Sequence, residues 1–541
     1  MLGSMMMRPL NIADILKYAA EIHPTAEVVS VRTEGDLHRQ TYADMAKRVN
    51  RLANALKAEG MQVGDRIATL AWNGYRHLEL YYAISGSGGV CHTINPRLSA
   101  EQMSYIVNHA KDTMLFVDTT FVPLVNALRA QWPEGLKVVV MTDRAHMPEG
   151  DFLCYEELLE AQADVFDWPD LPEDTAAGLC YTSGTTGNPK GTLYTHRSTV
   201  LHAMTVGLSL PKVCQPGKRI LPVVPLFHVN AWGLPYIALL TGASLVFPGG
   251  ALDGPSLFKL MEDENVYSAW GVPTVWLGLQ GEMQKQGRMP NGLSHLVIGG
   301  SAAPASMISY FEEQNIDICH AWGMTEMSPV GTMGNLPVHL EDRSLEERVE
   351  IKSKQGRRIF GVDLKIVDED GKPLPHDGEA AGELFVRGNN ITSGYFENDE
   401  ANAGAFDADG WFGTGDVATI DSHGYLTITD RAKDLIKSGG EWISSLDLEN
   451  TVMAHPKVAN CAVIAVAHPK WDERPLLVVV PSPEGKPEIS ELMALLEEHF
   501  AKWQLPDDVV FVGELPMTAT GKVSKLTLRK QFADYKLPDM V

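Results

Sequence analysis

Cysteine is scarce: 541 residues carry six, at Cys91, Cys154, Cys180, Cys214, Cys319 and Cys461, with no CxxC and no His/Cys cluster. That scatter excludes a zinc ribbon or a redox pair and reads as buried thiols in a reducing compartment. Positive charge is also short. Lys and Arg number 45 against 69 Asp and Glu, a net charge of −24. Such a chain is a poor partner for nucleic acid and for anionic lipid. It can still hold a small anion, because a few oriented amides and one lysine suffice for a phosphate. Long apolar runs are missing as well. The most apolar stretch, Gly233 to Phe247, is about 15 residues and is broken by Pro235, Thr241 and Gly242, too short to span a bilayer. Met1 to Leu10 has no apolar h-region and does not read as a signal peptide. A cytoplasmic protein without stable membrane association is expected.

What is present is a globular composition long enough for three to four domains at ~150 residues each. In the first half, helical patterns alternate with short β-rich runs. Tyr42–Glu59 carries Met45, Val49, Leu52, Ala53 and Leu56 at helical spacing, and Glu101–His109 predicts a second helix. Arg66–Ala71, Met114–Asp118, Lys137–Met141, Ala176–Cys180, Ser244–Phe247, Leu296–Ile298 and Ile316–Cys319 predict strands. This alternation implies an α/β fold with parallel sheets. From about residue 355 to 430 the texture turns to Gly, Asp and alternating runs such as Val362–Val367 and Glu383–Val386, which predicts antiparallel hairpins closing into a small β-barrel. Asp430–Gly440 reads as a hinge. Beyond it, strands at Val458–Val466 and Leu476–Val480 and a helix at Ile489–Phe500 predict a separate small α+β domain. The expected division is 1–432 and 433–541, the second part mobile.

The strongest local signal is Tyr181-Thr-Ser-Gly-Thr-Thr-Gly-Asn-Pro-Lys190-Gly191. Glycines let backbone amides approach an anion, hydroxyls donate to it, and Lys190 adds charge, a set suited to polyphosphate. It is not a Walker A loop, because Pro189 and Gly191 flank the lysine where Gly and Ser or Thr are required. Gly86-Ser-Gly88-Gly89-Val-Cys91 lacks the last Gly of a dinucleotide fingerprint. Gly299-Gly-Ser301-Ala-Ala303 lacks the last Gly of a nucleophile elbow. There is no HExxH.

Residues Tyr181–Gly191 resemble the phosphate signature of the adenylate-forming superfamily of acyl-CoA synthetases, peptide-synthetase adenylation domains and luciferases. Further motifs follow in the family's order as far as Lys525. By this resemblance Thr182, Ser183, Gly184, Thr185, Thr186 and Lys190 hold the triphosphate. Gly300, Ser301 and Ala302, in Gly299–Pro304, pack on adenine. Ala321-Trp322-Gly323-Met324-Thr325-Glu326 is similar to the adenine and magnesium motif, Thr325 and Glu326 serving the phosphates and Mg²⁺. A hydroxyl beside a carboxylate is the oxygen chemistry a hard cation takes. Asp416, in Trp411–Asp416, implies ribose binding, joined by Arg431. Lys433 matches the hinge position. Lys437, Ser438, Gly439 and Gly440 match the face that forms the thiol channel. Lys522, after Thr520-Gly521, matches the catalytic lysine. His228, in Pro225–Asn230, resembles the gate beside the acyl carboxylate, with Trp232, Gly233 and Pro235 continuing the pocket wall. His196 reads as structural.

The resemblance implies two half-reactions: a carboxylate attacks the α-phosphate of ATP, and a thiol then displaces AMP from the acyl-adenylate. The small domain turns in between, withdrawing Lys522. ATP, Mg²⁺ and coenzyme A are the implied cofactors and a small carboxylic acid the partner; a homodimer is the family-based expectation. No carrier-protein segment follows Val541, which favours coenzyme A as acceptor. Bulky Trp232, Trp270 and Trp276 favour a short to medium acyl chain. Segments such as Ala71–His77 and Cys91–Arg97 are similar to medium-chain fatty-acid ligases and to 3-methylmercaptopropionate:CoA ligases. A luciferase-like adenylating oxygenase and a non-enzymatic nucleotide sensor are the alternatives.

Overall fold

A computed structural model describes residues 3–182, 188–439, 441–518 and 522–538. The predicted α/β alternation forms two large sheets. In the first, seven strands run in the order Leu153–Cys154, Lys137–Val140, Met114–Val117, Arg66–Leu70, Val90–Thr93, Ala176–Tyr181, Gly191–Thr195. All pairings are parallel except the last. The second has nine strands, with parallel Ser244–Phe247, Arg219–Pro222, Ser268–Gly271, His295–Ile298 and Asp317–Gly323 at its centre. Parallel strands of both sheets are near-continuous runs, such as His-Leu-Val-Ile in the second and Met-Leu-Phe-Val in the first, buried on both faces as helix-covered parallel strands must be. An antiparallel hairpin, Glu27–Val31 with Leu37–Thr41, caps one edge of the second sheet and has no counterpart in the sequence expectations.

Helix Tyr42–Ala58 starts where Thr41 accepts from the Asp44 amide and Asp44 reaches back, a capping box. Helix Tyr75–Gly86 is buried along its whole length, so it lacks the polar face that marks a helix in sequence. The apolar stretch from Gly233 splits into helix Leu234–Thr241 and strand Ser244–Phe247. Among the described residues no helix is long and apolar enough to cross a membrane.

The β-rich segment departs from expectation. Val362–Val367, Gly382–Gly388, Phe412–Ile420 and Leu426–Arg431 form an open four-stranded antiparallel meander in place of a closed barrel. Strand Arg357–Arg358 pairs instead with Val330–Met333 of the nine-stranded sheet and touches the meander through an Arg357–Tyr425 bridge. Four strands are too few to curl into a ring filled by side chains, and the meander's inner face packs on a small cluster of Ile366, Leu384, Ala418, Ile420 and Leu426.

Residues after Lys433 build their own sheet, with Val458–His468 and Asp472–Pro481 at its centre and Asp508–Phe511 parallel to the second. Its two apolar clusters, around Leu448, Val463 and Leu492 on one face and Ile464, Val478 and Leu528 on the other, draw only on residues from Ile436 onward. The tail has a core of its own.

Candidate active site

The order of the nine-stranded sheet reverses at Arg219–Pro222: the chain goes next to Ser244–Phe247 on one side and later to Ser268–Gly271 on the other. In parallel sheets the crevice beyond the carboxyl ends at such a reversal is where ligands bind. Four strands lead there, three of them into sequence-predicted residues. Arg219–Pro222 leads into His228 and Trp232, Ser268–Gly271 into Val272, His295–Ile298 into Gly299 and Gly300, and Asp317–Gly323 into Thr325 and Glu326.

The wall after His228 is strained. Val229, Asn230, Ala231 and Trp232 have φ of 41°, 56°, 46° and 56°, a left-handed conformation that costs about 1–2 kcal/mol per non-glycine residue. Its surroundings hold it. The Tyr81 hydroxyl donates to Asn230 Oδ1 at 3.2 Å and to the Leu226 carbonyl, while Asn73 accepts from the Leu226 amide and donates to the Pro222 and Val224 carbonyls. Trp232 thereby comes against the glycine turn. A Cβ at Gly299 would meet the Trp232 ring at 3.1 Å, and one at Gly300, whose φ is +83°, would meet Val272 at 3.1 Å. Neither position has room for a side chain, so the turn stays thin between Trp232 and Val272. Pro235 carries on into helix Leu234–Thr241, its carbonyl taking the Tyr82 hydroxyl at 2.8 Å. Gly233, at φ +83°, lies over His202, which in turn accepts from the Val330 amide. Burial and the Lys522 charge push the His228 imidazole down to about 4, so it is neutral at pH 7.

At the next strand end, Gly323 touches the Pro329 carbonyl so closely that any side chain there would collide with it. The close approach turns Thr325 and Glu326 inward, 7% and 5% exposed. The Tyr194 hydroxyl donates to the Thr325 carbonyl at 2.7 Å. Burial pushes the Glu326 carboxyl above the usual carboxylate range, against a 2.7 Å hydrogen bond from Tyr395 and the charges of Arg431 and Lys190. Lys190 Nζ sits 4.9 Å from the centre of that same Tyr395 ring, and the Thr182 amide donates to the Lys190 carbonyl. Tyr395 thus joins the phosphate-loop lysine to the acidic residue. The sequence reading missed it, and its Ser-Gly-Tyr surroundings carry no pattern that points to a site. Ser183, Gly184, Thr185, Thr186 and Gly440 lie outside the described residues.

The meander supplies Asp416, which is 2% exposed. It takes a 2.8 Å ion pair from Arg431, its cross-strand partner, and a 3.1 Å hydrogen bond from the Trp322 indole. Burial pushes its carboxyl up, opposed by Arg431, Trp322 and Lys522. Ala321, backing the glycine turn, presents its carbonyl 2.9 Å from where a Gly299 Cβ would stand. Ser301 and Ala302 follow at the rim, exposed and half-buried.

The tail reaches in. Lys522 stands next to a Met517–Val523 bridge, its amide donating to the Thr518 hydroxyl at 3.1 Å. Its Cε is 3.9 Å from where a Gly300 Cβ would be. Burial and the Arg431 charge push its ammonium down to about 8, with Asp416 opposing. So Lys522, Asp416, Gly300 and His228 share one crevice. Lys437, Ser438 and Gly439 form their contacts within the tail, with Glu473, Arg474 and Trp471. At the predicted hinge, burial lowers the Lys433 ammonium.

Two sequence expectations change. Trp270 and Trp276 are fully buried, their indole N–H groups given to Ser268 Oγ and the Gly271 carbonyl; they are core, and Trp232 alone of the three sits at the crevice. His196 accepts from the Ile12 amide at 3.1 Å and is structural, as expected. All six cysteines are free and buried.

Among the described residues no group of three His, Cys, Asp or Glu side chains can hold a metal unaided. Mg²⁺ fits this setting, since it keeps one or two protein oxygens and completes its shell with phosphate and water. Thr325 and Glu326 are such a pair.

The chain belongs to the AMP-binding enzyme family, whose main domain matches residues 16–396 and whose C-terminal domain matches 447–522. It is 50% identical over 547 residues to the 3-methylmercaptopropionyl-CoA ligase of Ruegeria lacuscaerulensis, covering 99% of both chains. It is 48% identical over 543 residues to the medium-chain-fatty-acid–CoA ligase of Ectopseudomonas oleovorans, covering 99% of this chain and 98% of that one. Among solved structures, ATP-bound MatB from Rhodopseudomonas palustris superposes with a TM-score of 0.82 at 26% identity, covering 97% and 100% of the two chains. The anthranilate CoA ligase AuaEII with anthranoyl-AMP gives 0.87 at 24% identity over 98% and 99% and shares the fold.

Proposed function

We propose that the protein is an ATP-dependent acyl-CoA ligase that works through an acyl-adenylate, releases AMP and pyrophosphate, and acts on short to medium carboxylic acids, among them 3-methylmercaptopropionate. The observation that carries this reading is the meeting of Lys522, from the tail, with Asp416, Gly300 and His228 of the body in one crevice. A thioether and a methylene chain are both apolar, and the names of the two relatives span those substrates.

In the first half-reaction two anions must approach, the acid carboxylate and the α-phosphate. Lys522 lies where its ammonium bridges them, neutralising the ground-state repulsion and the charge that builds on the phosphate. Neutral His228 donates one N–H to the incoming carboxylate and adds no competing positive charge. Asp416 accepts from the ribose hydroxyls, exchanging its bonds to Trp322 and Arg431. Gly300, Ser301, Ala302, Ala321, Trp322 and Gly323 form the adenine slot. Lys190, Thr182 and the loop that follows hold the phosphates. Glu326 and Thr325 would hold Mg²⁺, which would supply charge neutralisation on the phosphate oxygens. No protein nucleophile is required for in-line displacement at phosphorus.

In the second half-reaction the body is 1–432 and the tail from residue 433 pivots at Lys433. Lys522 leaves, and the Lys437–Gly440 face turns inward to admit a thiol. Its left-handed Gly439 packs under Trp471, where a Cβ would meet the ring at 2.8 Å, keeping that edge thin. Trp232 closes the acyl pocket and sets its depth. A homodimer and a cytoplasmic location complete the reading, the first checked by sedimentation.

The test is incubation with ATP, Mg²⁺ and a panel of straight-chain acids and 3-methylmercaptopropionate, with and without coenzyme A. Acyl-CoA with AMP and pyrophosphate is expected. ADP as product overturns the proposal. Oxygen uptake or light would favour the oxygenase.

A further inference from the structure

Buried polar groups cross from body to tail at Asp430. Asp430 lies on strand Leu426–Arg431, one residue before Arg431 and three before Lys433, and is 4% exposed. Its Oδ1 accepts from the Arg431 amide at 2.7 Å. Its Oδ2 accepts from both the Ser445 amide, at 2.7 Å, and the Ser445 hydroxyl, at 2.6 Å. Ser445 opens tail helix Ser445–Val452. Its hydroxyl is also an acceptor, taking Lys525 Nζ at 2.6 Å. Lys525 in turn pairs with Glu449 at 2.8 Å, and Glu449 accepts from the Val463 amide at 2.6 Å. Against the effect of burial, Glu449 and Asp430 hold the Lys525 ammonium above its ordinary range. A second bond, Ser444 Oγ to the Thr429 carbonyl at 2.6 Å, runs alongside.

The chain of contacts has a direction. Asp430 shares its strand with Arg431, the partner of Asp416 at the crevice. Lys525 begins the helix three residues after Lys522. The relay therefore runs from the ribose-side strand, through Ser445, to the foot of the loop that carries Lys522. It also spans the pivot, since Asp430 precedes Lys433 while Ser445, Glu449 and Lys525 follow it.

We propose that Asp430, Ser445 and Lys525 form a latch that holds the tail in the pose placing Lys522 in the crevice, and that the Asp430–Ser445 link must open before the thiol step. This rests on the two-step reading above. The three are positioning residues. Any rotation about Lys433 parts Asp430 from Ser445. The parted groups then face water, which replaces the lost hydrogen bonds, so the latch is strong when closed yet reversible. Lys525 keeps Glu449 and travels with the tail, so no buried lone charge is left behind.

The test separates the half-reactions in D430N and S445A: adenylation as acid-dependent pyrophosphate exchange, and thioester formation from supplied acyl-adenylate and coenzyme A. D430N weakens bonds to a charged acceptor, so adenylation should fall about 10- to 100-fold while thioester formation is unchanged or faster. S445A retains the amide bond and should show the same split at smaller size; it carries the test if circular dichroism finds D430N unfolded. D430E should restore part of the adenylation rate. Equal loss in both half-reactions, no loss in either, or a larger loss in the thioester step overturns the latch. Wild-type protein that makes no adenylate at all would instead overturn the ligase reading.

Discussion

The crevice floor and the Lys522 loop meet at the same place and are held there by different forces. The floor is the ends of parallel strands whose other residues, Leu221, Trp270, Ile298 and Ile318 among them, are fully buried. Moving Gly300 or Glu326 would mean opening that core, at about 25 cal/mol for each Å² of apolar surface exposed. The tail that carries the Lys522 loop meets the body through hydrogen bonds, from the Ser445 amide and hydroxyl to Asp430 and from the Ser444 hydroxyl to the Thr429 carbonyl. Such bonds exchange with water at a net cost of only about 1 kcal/mol each. Apolar burial fixes the strand ends, and on the function proposed above polar contact holds the part that leaves after the first half-reaction.

Substitutions can break or sharpen this contrast. The largest effect is expected for Lys522→Ala, which should slow adenylation by ~10²–10³, the scale for losing one preorganised charge-stabilising group. Thioester formation from supplied acyl-adenylate should be spared; equal damage to both would mean that the loop is part of the fixed floor. Tyr395→Phe probes the floor itself. Losing a hydrogen bond to buried Glu326 should raise the half-saturating Mg²⁺ concentration about 10-fold or more, and an unchanged Mg²⁺ titration would remove Tyr395 from the site. Lys433→Pro stiffens the pivot and should slow the thioester step by roughly tenfold with less effect on adenylation. The reverse ranking would place the pivot elsewhere.

The pH dependence is gentler. Lys522 is charged below about 8, so kcat/KM for ATP in adenylation, which reports the free enzyme, should hold below that pH and decline above it. Lys522→Arg keeps its charge at all accessible pH and should abolish the decline even if it is slower overall. Persistence of the decline would assign it to another group. Smallest is the change at the pocket wall. Trp232→Ala should move the preference toward longer acids, by about tenfold in the kcat/KM ratio between neighbouring even-numbered chains. An unaltered chain-length profile would show that Trp232 does not set the pocket depth.

Legibility in the sequence followed periodicity. Tyr42–Glu59 and Val362–Val367 were readable because one face of each is apolar, and their boundaries match the structure to within a residue. Helix Tyr75–Gly86 was not, since burial on all sides erases the polar face. The hairpin Glu27–Thr41 was missed because its place at the edge of a sheet depends on a strand more than two hundred residues away. In the candidate site, the structure brings Asp416, Arg431 and Lys522, named from ordered motifs, close to one another and to Gly300. Tyr395, a lone aromatic between the phosphate loop and the acid, could be recognised only from what it touches. Trp270 and Trp276 show the opposite error: bulk near a pocket segment suggested a lining, whereas both point into core.

The sequence alone supplied the candidate groups of this protein: a Gly- and Thr-rich segment running to Lys190, a hydroxyl–carboxylate pair at Thr325 and Glu326, an acid at Asp416 and a lysine at Lys522, each with local neighbours that suggest its type. Only the tertiary structure decided that these segments, up to about 340 residues apart between Thr182 and Lys522, converge on one crevice, that Tyr395 bridges Lys190 and Glu326, and that Asp430 ties the body to the tail. The reason is physical. A residue's chemistry is local, while convergence depends on strand order and on which end of a parallel sheet the chain leaves, and those are settled by packing the whole core at once.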